Sequence, residues 1–355
     1  MLYRAGLERC RTEVGKVKTR QKLIRWIALG AGVALMCSAA GFWGASQCSE
    51  PDSSGLVAEK ERRFKVRRAA VAGMFYDSNP ERLRDEINKY LHNATPERVE
   101  AELIALISPH AGYVYSGQAA AFGFKLLDKA KIKRAVVLAP THRVGFRGVS
   151  IPQVSGYETP LGVVKLDSTA CDMLRRQTLF TSIAEVHSQE HSLEVQLPFL
   201  QVVLGDDFTL IPMVVGQLRN GDYRAIAGSL REVVMKGDVV VISSDFTHQG
   251  PRFGYVPYKN DIKENIRKLD LGAVDIIIEK DCPKFIDYIE DTGATICGRC
   301  PIGILLELLP EDAKGTLLTY YTSGELTGDE RDTVSYVSLA FSSHSGWPER
   351  EQAIR

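Results

Sequence analysis

The sequence predicts an α/β fold: a single layered domain whose central, mostly parallel or mixed sheet is flanked by helices, preceded by one N-terminal transmembrane helix. From residue 69 onward, short β-rich runs alternate with helical segments, which is typical of a layered α/β domain. Three apolar runs, LIALIS, AVVLA and VVVIS, are continuous rather than alternating, as in strands that helices cover on both faces. Residues 26–46 form an uncharged apolar stretch of about the length that spans a bilayer.

The composition is that of an ordinary globular chain. Of 355 residues, 45% are apolar and 25% are charged. Lys and Arg together number 44, as do Asp and Glu, so no overall charge favours nucleic acid as a partner. The seven cysteines are an odd number and widely scattered, which is not the pattern of a disulfide framework.

The N-terminal part differs from the rest and divides the chain into predicted segments. Residues 1–25 are a basic segment, residues 26–46 a transmembrane anchor or signal segment, residues 47–65 a polar linker, residues 66–343 the α/β domain and residues 344–355 a tail. The basic excess before the apolar stretch predicts a single-pass membrane protein with its N-terminus in the cytoplasm. The alternatives are a secreted protein, cleaved at the small residues Ser38 and Ala40, and a buried helix.

Hydrophobic period and turn residues then assign the elements of the main domain. The predicted strands are Leu103–Ser108, Ala135–Ala139, Gly162–Leu166, Phe208–Val215, Asp238–Ser243, Thr316–Tyr321 and Val334–Phe341. The predicted helices are Pro80–Leu91, Ser116–Ala130, Ser168–Gln177, His191–Leu204, Asp222–Met235, Tyr258–Glu279 and Pro301–Leu309. The last strand alternates apolar and polar residues, so we expect it at an edge of the sheet.

Three apolar runs of strand length each end close to a histidine. His110 follows LIALIS, His142 follows AVVLA, and Asp245 and His248 follow VVVIS. In open α/β sheets ligands bind beyond the carboxyl ends of the strands, and neighbouring strands lie only about 5 Å apart. A lone histidine after a strand is more often a loop or capping residue, but three at one edge favour a shared site.

The segment VHSQEHSLEVQLPFL carries a further polar cluster. Ser188 is predicted to cap a helix on which His191 and Glu194 lie on adjacent turns. Such a pair can supply two metal ligands, or the carboxylate can orient a catalytic imidazole. The alternative is a polar helix start packed against the sheet edge. We expect His191 and Glu194, with Tyr113 of ISPHAGYVYSG, to contact substrate or the ligands rather than the metal.

The segment TICGRCPIG contains the one CxxC motif, formed by Cys297 and Cys300. The pair can be a redox dithiol, it can supply one or both thiolates to a metal, or Cys297 alone can be the functional thiol. No second CxxC completes a four-cysteine zinc site. The alternative is two small buried residues at the start of a helix.

The motifs AGMFY, ISPHAGYVYSG, APTH, YETPLG, EHSLEVQLPFL, SSDFTHQG, ICGRCPIG and VSYVS resemble, in this order, those of the Memo family, which is component B of the AmmeMemoRadiSam system in prokaryotes. The resemblance covers about residues 66–343. It implies a fold like that of class III extradiol dioxygenases and an iron site, copper having been proposed too. His110, His142 and Cys297 match the family's metal ligands, and Asp245 and His248 match residues that line its pocket.

The resemblance also implies functional association with AMMECR-type and radical SAM proteins. One departure concerns Cys300, where the animal proteins carry a histidine, so that a second thiol lies beside the expected ligand. In an oxidising compartment Cys297 and Cys300 are expected to pair as a disulfide, which would make metal binding depend on redox state.

These residues support three alternative functions. A set of two histidines and a cysteine suits iron, with copper and zinc as alternatives, and predicts oxygen or redox chemistry on an unknown small substrate, with Asp245 and His248 in acid–base roles. The second is a metal-independent thiol hydrolase or amidase in which Cys297, His248 and Asp245 act as nucleophile, base and orienter. The third is a non-catalytic module that binds a small molecule or a peptide.

Overall fold

The protein is built around a mixed nine-stranded sheet. The structure is a computed structural model that describes residues 65–349. The strands are β1 (Val66–Arg67), β2 (Glu102–Ser108), β3 (Arg134–Pro140), β4 (Val149–Ser150), β5 (Gly156–Thr159), β6 (Gly162–Lys165), β7 (Phe180–Thr181), β8 (Thr209–Val215), β9 (Asp238–Ser243), β10 (His248–Gln249), β11 (Lys314–Thr322) and β12 (Thr333–Ser343). The large sheet has the order β10-β12-β2-β9-β3-β8-β4-β7, and β11 pairs with β12. β1, β5 and β6 form a small separate sheet.

Helices cover both faces of the large sheet. They are α1 (Pro80–Asn93), α2 (Tyr113–Phe124), α3 (Ser168–Arg175), α4 (Ala184–Ser188), α5 (Leu197–Leu204), α6 (Asp222–Arg231), α7 (Ile262–Glu279), α8 (Cys282–Thr292), α9 (Arg299–Leu308) and α10 (Ser323–Thr327). Two single turns of 3₁₀ helix lie at Glu194–Gln196 and Pro251–Phe253. The predicted α/β class with a mixed central sheet flanked by helices is confirmed.

The centre of the sheet consists of four strands that run parallel in the order β2, β9, β3, β8. Every residue of β3 and β9 is buried, which explains the continuous apolar runs of these strands; the charged residues at their starts, Arg134 and Asp238, pair with each other. Because the four strands are parallel, their carboxyl ends lie at one edge of the sheet, and the segments that follow them meet there.

β12 lies inside the sheet, so the prediction that it forms an edge is wrong. It pairs antiparallel with β2 on one side and with β11 on the other. Its polar positions are serines, including Ser335, Ser338 and Ser342, which are small enough to be buried between the sheet and the covering helices. Alternation of small polar residues therefore does not imply exposure to solvent.

The helix predicted over His191–Leu204 begins later, at Leu197. Pro198 occupies its first turn, where the missing backbone N–H costs no hydrogen bond. Ser188 ends α4 rather than capping a longer helix.

The sequence prediction also omitted α8, although Asp281 caps it through a hydrogen bond from the Lys284 backbone N–H at 2.9 Å.

The prediction of a single-pass membrane localisation is wrong for the part of the chain that the structure describes. No helix between residues 65 and 349 is both long enough and apolar enough to cross a membrane. The longest, α7, has 18 residues, but its sequence IKENIRKLDLGAVDIIIE carries charges along most of its length. The proposed anchor or signal segment, residues 26–46, and the basic segment before it lie outside the described residues.

Candidate metal centre

Three predicted metal ligands meet at the carboxyl edge of the parallel strands. His110 follows β2, His142 follows β3, and Cys297 lies directly before α9. One ligand atom from each lies within 4.8 Å of the other two. The His110 and His142 rings are 5.1 Å apart between centroids and nearly perpendicular. Residues far apart in the sequence therefore form one cluster of two nitrogens and a sulfur.

Hydrogen bonds fix the tautomer of His110. The Ser243 hydroxyl donates its proton to the Ser192 carbonyl at 2.6 Å and accepts from the Gln196 amide at 2.8 Å. Having no further proton to give, Ser243 Oγ must also accept from His110 Nδ1, which lies 2.9 Å away. His110 Nε2 is therefore left with a lone pair, and among residues 65–349 this buried atom has no hydrogen-bond partner.

A carboxylate fixes the tautomer of His142 in the same way. His142 Nδ1 lies 2.9 Å from Glu190 Oε1, and the His142 backbone N–H donates to Glu190 Oε2 at 2.7 Å. Burial raises the pKa of Glu190, but hydrogen bonds from His142 and His191 outweigh this and hold the pKa far below its usual range. An ionised carboxylate only accepts, so His142 Nδ1 carries the proton and Nε2 is free to bind a metal.

Burial also keeps the His110 imidazole in its neutral form. The pKa of His110 is well below its usual value because its ring is buried and because the rings of His142 and His191 lie nearby. A neutral imidazole with a free Nε2 is the form that binds transition metals. His110 thus presents its ligand nitrogen in the protonation state that metal binding requires.

Cys297 contributes the sulfur and lies beside His248. Cys297 Sγ is 3.7 Å from His248 Nε2. Burial and the neighbouring Asp245 charge raise the pKa of the Cys297 thiol well above its usual range. The thiol is therefore protonated at neutral pH unless a cation stabilises the thiolate. A bound transition metal is such a cation.

Asp245 and His248 lie at the same edge, but the carboxylate does not orient the imidazole. Asp245 Oδ1 accepts from the His110 backbone N–H at 2.7 Å and so holds the segment that carries His110. His248 Nδ1 lies 2.8 Å from the Phe246 carbonyl and 3.2 Å from the Thr295 carbonyl. Both acceptors are carbonyls, so Nδ1 is protonated and Nε2, next to Cys297, has the lone pair.

Of the residues predicted to contact substrate, His191 alone lies in the cluster. Its ring centroid is 4.7 Å from that of His142 and 5.5 Å from that of His110. Tyr113 lies in the core, where its hydroxyl donates to the Val195 carbonyl at 2.7 Å. Glu194 is used elsewhere: its buried carboxylate accepts hydrogen bonds from Arg67, from the Tyr76 hydroxyl, and from the backbone N–H groups of Ala70 and Val71.

Glu190 and Ser243 are the residues that the sequence prediction missed. Both are fully buried polar side chains whose only signal was their position, one beside His191 and the other at the end of a strand. Glu190, His142 and His191 also form a second group with metal-ligand spacing. That carboxylate already accepts the backbone N–H groups of His191 and Ser192, at 3.0 and 3.1 Å, besides the two contacts from His142. Three of these four hydrogen bonds go to Oε1, so we assign Glu190 the role of orienting His142 rather than that of a ligand.

Cys300, the predicted redox partner, is buried in the first turn of α9. Its sulfur lies 3.8 Å from the Tyr223 hydroxyl, and it does not belong to either group with metal-ligand spacing. Cys297 and Cys300 are both free thiols. α9 begins at Arg299, two residues before the predicted start.

The residues present fit a transition metal. Within residues 65–349 the buried His110 Nε2 has no hydrogen-bond partner, the anchoring carboxylate contacts Nδ1 of His142 rather than Nε2, and the third donor is a sulfur. Two imidazole nitrogens with a thiolate are typical ligands of iron, copper and zinc, and exclude a site built for Mg²⁺ or Ca²⁺.

Comparison with known proteins gives the same family as the motifs. The profile of the Memo-like protein family matches residues 67–340. A memo-1 homolog of Caenorhabditis elegans is 37% identical over 250 residues, which cover 68% of this chain and 71% of the worm protein. A MEMO1 family protein of Thermoplasma volcanium is 33% identical over 276 residues, 77% of this chain and 97% of its own length. The mouse protein MEMO1 is 30% identical over 296 residues, which cover 79% of this chain and 99% of the mouse protein. The chain belongs to the Memo family.

Proposed function

We propose that this protein binds one transition-metal ion, iron in preference to copper or zinc, through His110, His142 and Cys297, and carries out oxygen or redox chemistry on a small substrate. The observation that carries the proposal is the buried His110 Nε2, which has no hydrogen-bond partner in the described part of the chain, residues 65–349, in a group whose ligand atoms lie within 4.8 Å of one another. An unsatisfied buried polar atom is destabilising by about 1–3 kcal/mol, which a metal–nitrogen bond would offset.

The bound iron would supply redox and Lewis-acid chemistry next to the cavity that Cys297 lines. His248 is the acid–base residue in this proposal, since its Nε2 has a free lone pair and faces the cluster. Asp245 is a positioning residue, because its carboxylate holds the backbone of His110. Glu190 and Ser243 contact Nδ1 of the two imidazoles, which would leave each Nε2 to bind the metal.

The geometry supports the metal-independent hydrolase less well. Cys297 and His248 are adjacent, but Asp245 does not contact His248 Nδ1, whose partners are backbone carbonyls. The raised pKa of Cys297 also disfavours a free thiolate nucleophile. Association with AMMECR-type and radical SAM proteins, which the family resemblance implies, stays a prediction.

Metal analysis of the full chain tests the proposal. Purified under reducing conditions, the protein should hold about one transition-metal ion per chain, measured by mass spectrometry of the metal. His110→Ala and Cys297→Ala should each remove most of it, because each deletes one of three ligands. The exposed His344→Ala variant is the matched control and should retain the metal. Unchanged metal content in both ligand variants would contradict the proposal.

Activity screening is the second step. The iron-loaded protein and the metal-free protein should be compared for conversion of small substrates with and without oxygen. Turnover that is equal in the metal-free protein and is lost after alkylation of Cys297 would favour the hydrolase instead.

A further inference from the structure

A cavity of about 350 Å³ opens beside the metal cluster. His142 and Cys297 form part of its wall, so that two of the three proposed ligands face the same space. The segments after β3 and β8 and the first turn of α9 complete the wall. The volume is at the lower end of the range for small-molecule sites, which run from about 300 to 1,000 Å³.

The wall of this cavity carries positive charge without any acidic residue. Arg143 and Arg299 both line it, together with the amide side chain of Gln217. Within residues 65–349 neither guanidinium group forms an ion pair or a hydrogen bond, whereas the nearby Arg147 pairs with Asp222 at 2.6 Å. The cavity is therefore lined by two cations and one amide residue whose side-chain donors are free within residues 65–349, and the same cavity is lined by two members of the metal cluster, His142 and Cys297.

The backbone of this wall argues against a phosphate cradle. Phosphate sites are built mainly from free backbone N–H groups in a glycine-rich turn or at a helix N-terminus. Here the N–H groups of Gly216 and Gln217 already donate to the carbonyls of Gly148 and Phe146, both at 2.8 Å. In the first turn of α9, the Arg299 N–H donates to the Ile296 carbonyl and Pro301 has no N–H. Among residues 65–349 the backbone N–H groups of Arg143, Gly145 and Cys300 have no acceptor, but most of the free donors of this wall belong to the planar side chains of Arg143, Arg299 and Gln217.

We infer that this cavity binds a small organic acid, whose carboxylate is held by Arg143 and Arg299 while the rest of the molecule reaches toward Cys297 and His142. A guanidinium group offers two parallel N–H donors that match the two oxygens of a carboxylate. This inference rests on the proposed function, because it takes the metal cluster to be the reacting centre. It adds the substrate class, which the cluster alone does not determine.

Thermal unfolding of the metal-free full chain tests the carboxylate site. Succinate should raise the Tm of the wild type in a saturable way at constant ionic strength, because a ligand stabilises the state that it binds. The dissociation constant for succinate should be at least about tenfold larger in Arg143→Gln/Arg299→Gln than in the wild type. Arg176→Gln removes an exposed arginine outside the cavity and should behave as the wild type. Neutral succinamide should give no shift.

Three results would overturn the inference. One is the absence of any succinate shift in the wild type, and another is an equal shift in the wild type and the double variant, which would mean that succinate acts as a general salt. The third is a response to inorganic phosphate that exceeds the response to succinate and disappears in the double variant, because the subsite would then be one for phosphate.

Alkylation of Cys297 locates the site independently. Anionic iodoacetate and neutral iodoacetamide are nearly the same size. The rate of alkylation of Cys297 by iodoacetate divided by its rate with iodoacetamide, both followed by peptide mass spectrometry, therefore reports the local charge. The double variant should lower this ratio about three- to tenfold, and added salt should lower it in the wild type. An unchanged ratio, or a Cys297 that neither reagent reaches, would count against the inference.

The two proposals fail separately. If the wild type binds no metal but binds succinate through the two arginines, the metal centre is wrong and the acid site remains. If the metal content is normal but succinate binds equally to the wild type and to Arg143→Gln/Arg299→Gln, only the acid site is wrong.

Discussion

His142 Nδ1 lies 2.9 Å from Glu190 Oε1, and this contact with a buried carboxylate determines which nitrogen of His142 faces the metal cluster. Glu190 is 2% exposed and accepts hydrogen bonds from two parts of the chain, the loop after β3, which carries His142, and the adjacent residues His191 and Ser192. The carboxylate thus makes His142 a better electron donor through Nε2 and fixes the direction of its ring.

Replacing this carboxylate should weaken the metal site without removing a ligand. In Glu190→Gln we expect the affinity for the metal to fall about 10- to 100-fold, measured by competition with a chelator, because the amide no longer specifies the tautomer of His142. Glu185→Gln, an exposed substitution on α4, is the control and should leave the affinity unchanged. Equal affinities in the wild type and Glu190→Gln would show that Glu190 serves stability alone.

The role of Cys300 is tested by oxidation. If Cys297 and Cys300 form a disulfide under oxidising conditions, metal affinity in the wild type should rise on adding reductant, and Cys300→Ser should show little response. Metal affinity of both proteins, measured with and without reductant, checks this. If reductant changes the metal affinity of the wild type and of Cys300→Ser equally, Cys300 only packs beside Tyr223.

Arg67 should be important for stability because it neutralises a buried carboxylate. It pairs with Glu194 and also donates to the carbonyls of His187, at 2.9 Å, and Glu190, at 2.7 Å. Arg67→Ala leaves the Glu194 charge buried, so the free energy of unfolding should fall by about 3–5 kcal/mol. Arg68→Ala breaks a pair with Glu158 in which the arginine is 81% exposed, and should cost about 0–1 kcal/mol. Denaturant unfolding of both variants measures the difference.

His187 should make the fold sensitive to mild acid. Burial lowers the pKa of His187 to about 3, and its ring nitrogens lie 2.9 Å from the Tyr157 hydroxyl and 3.0 Å from the Ser150 hydroxyl. Between about pH 6.5 and this value the unfolded chain binds the proton and the folded chain does not, so stability falls as the pH falls. The contribution of His187 to this loss at about pH 5 is roughly 2 kcal/mol.

The measurement is the free energy of unfolding at about pH 7.5 and about pH 5. When the pH is lowered from the first value to the second, the free energy of unfolding should fall less in His187→Gln than in the wild type. His344→Gln, which removes an exposed histidine, should lose as much as the wild type. If His187→Gln retains the full pH dependence, another buried group is responsible.

The central strands were predictable because their residues are buried on both faces, which leaves a continuous apolar run in the sequence. β9 has the predicted bounds Asp238–Ser243, β2 begins one residue earlier than predicted, and β3 is one residue longer than predicted at each end. The short strands β4, β7 and β10 have two residues each, too few to show any period, and are stabilised by their neighbours in the sheet. The edge position predicted for β12 failed because buried serines look polar in a sequence.

By itself, the sequence determined the α/β class, the family motifs and the set of candidate ligands, because parallel strands bring whatever follows them to one edge. Tertiary structure alone decided which polar residues face that edge. Glu194 was predicted to lie on one helix with His191, but its carboxylate pairs with Arg67. The carboxylate of Glu190 contacts His142 instead. The physical reason is that a buried carboxylate must find donors, and the side-chain donors named here are distant in the chain, with a separation of 127 residues for Arg67 and Glu194 and of 48 for His142 and Glu190.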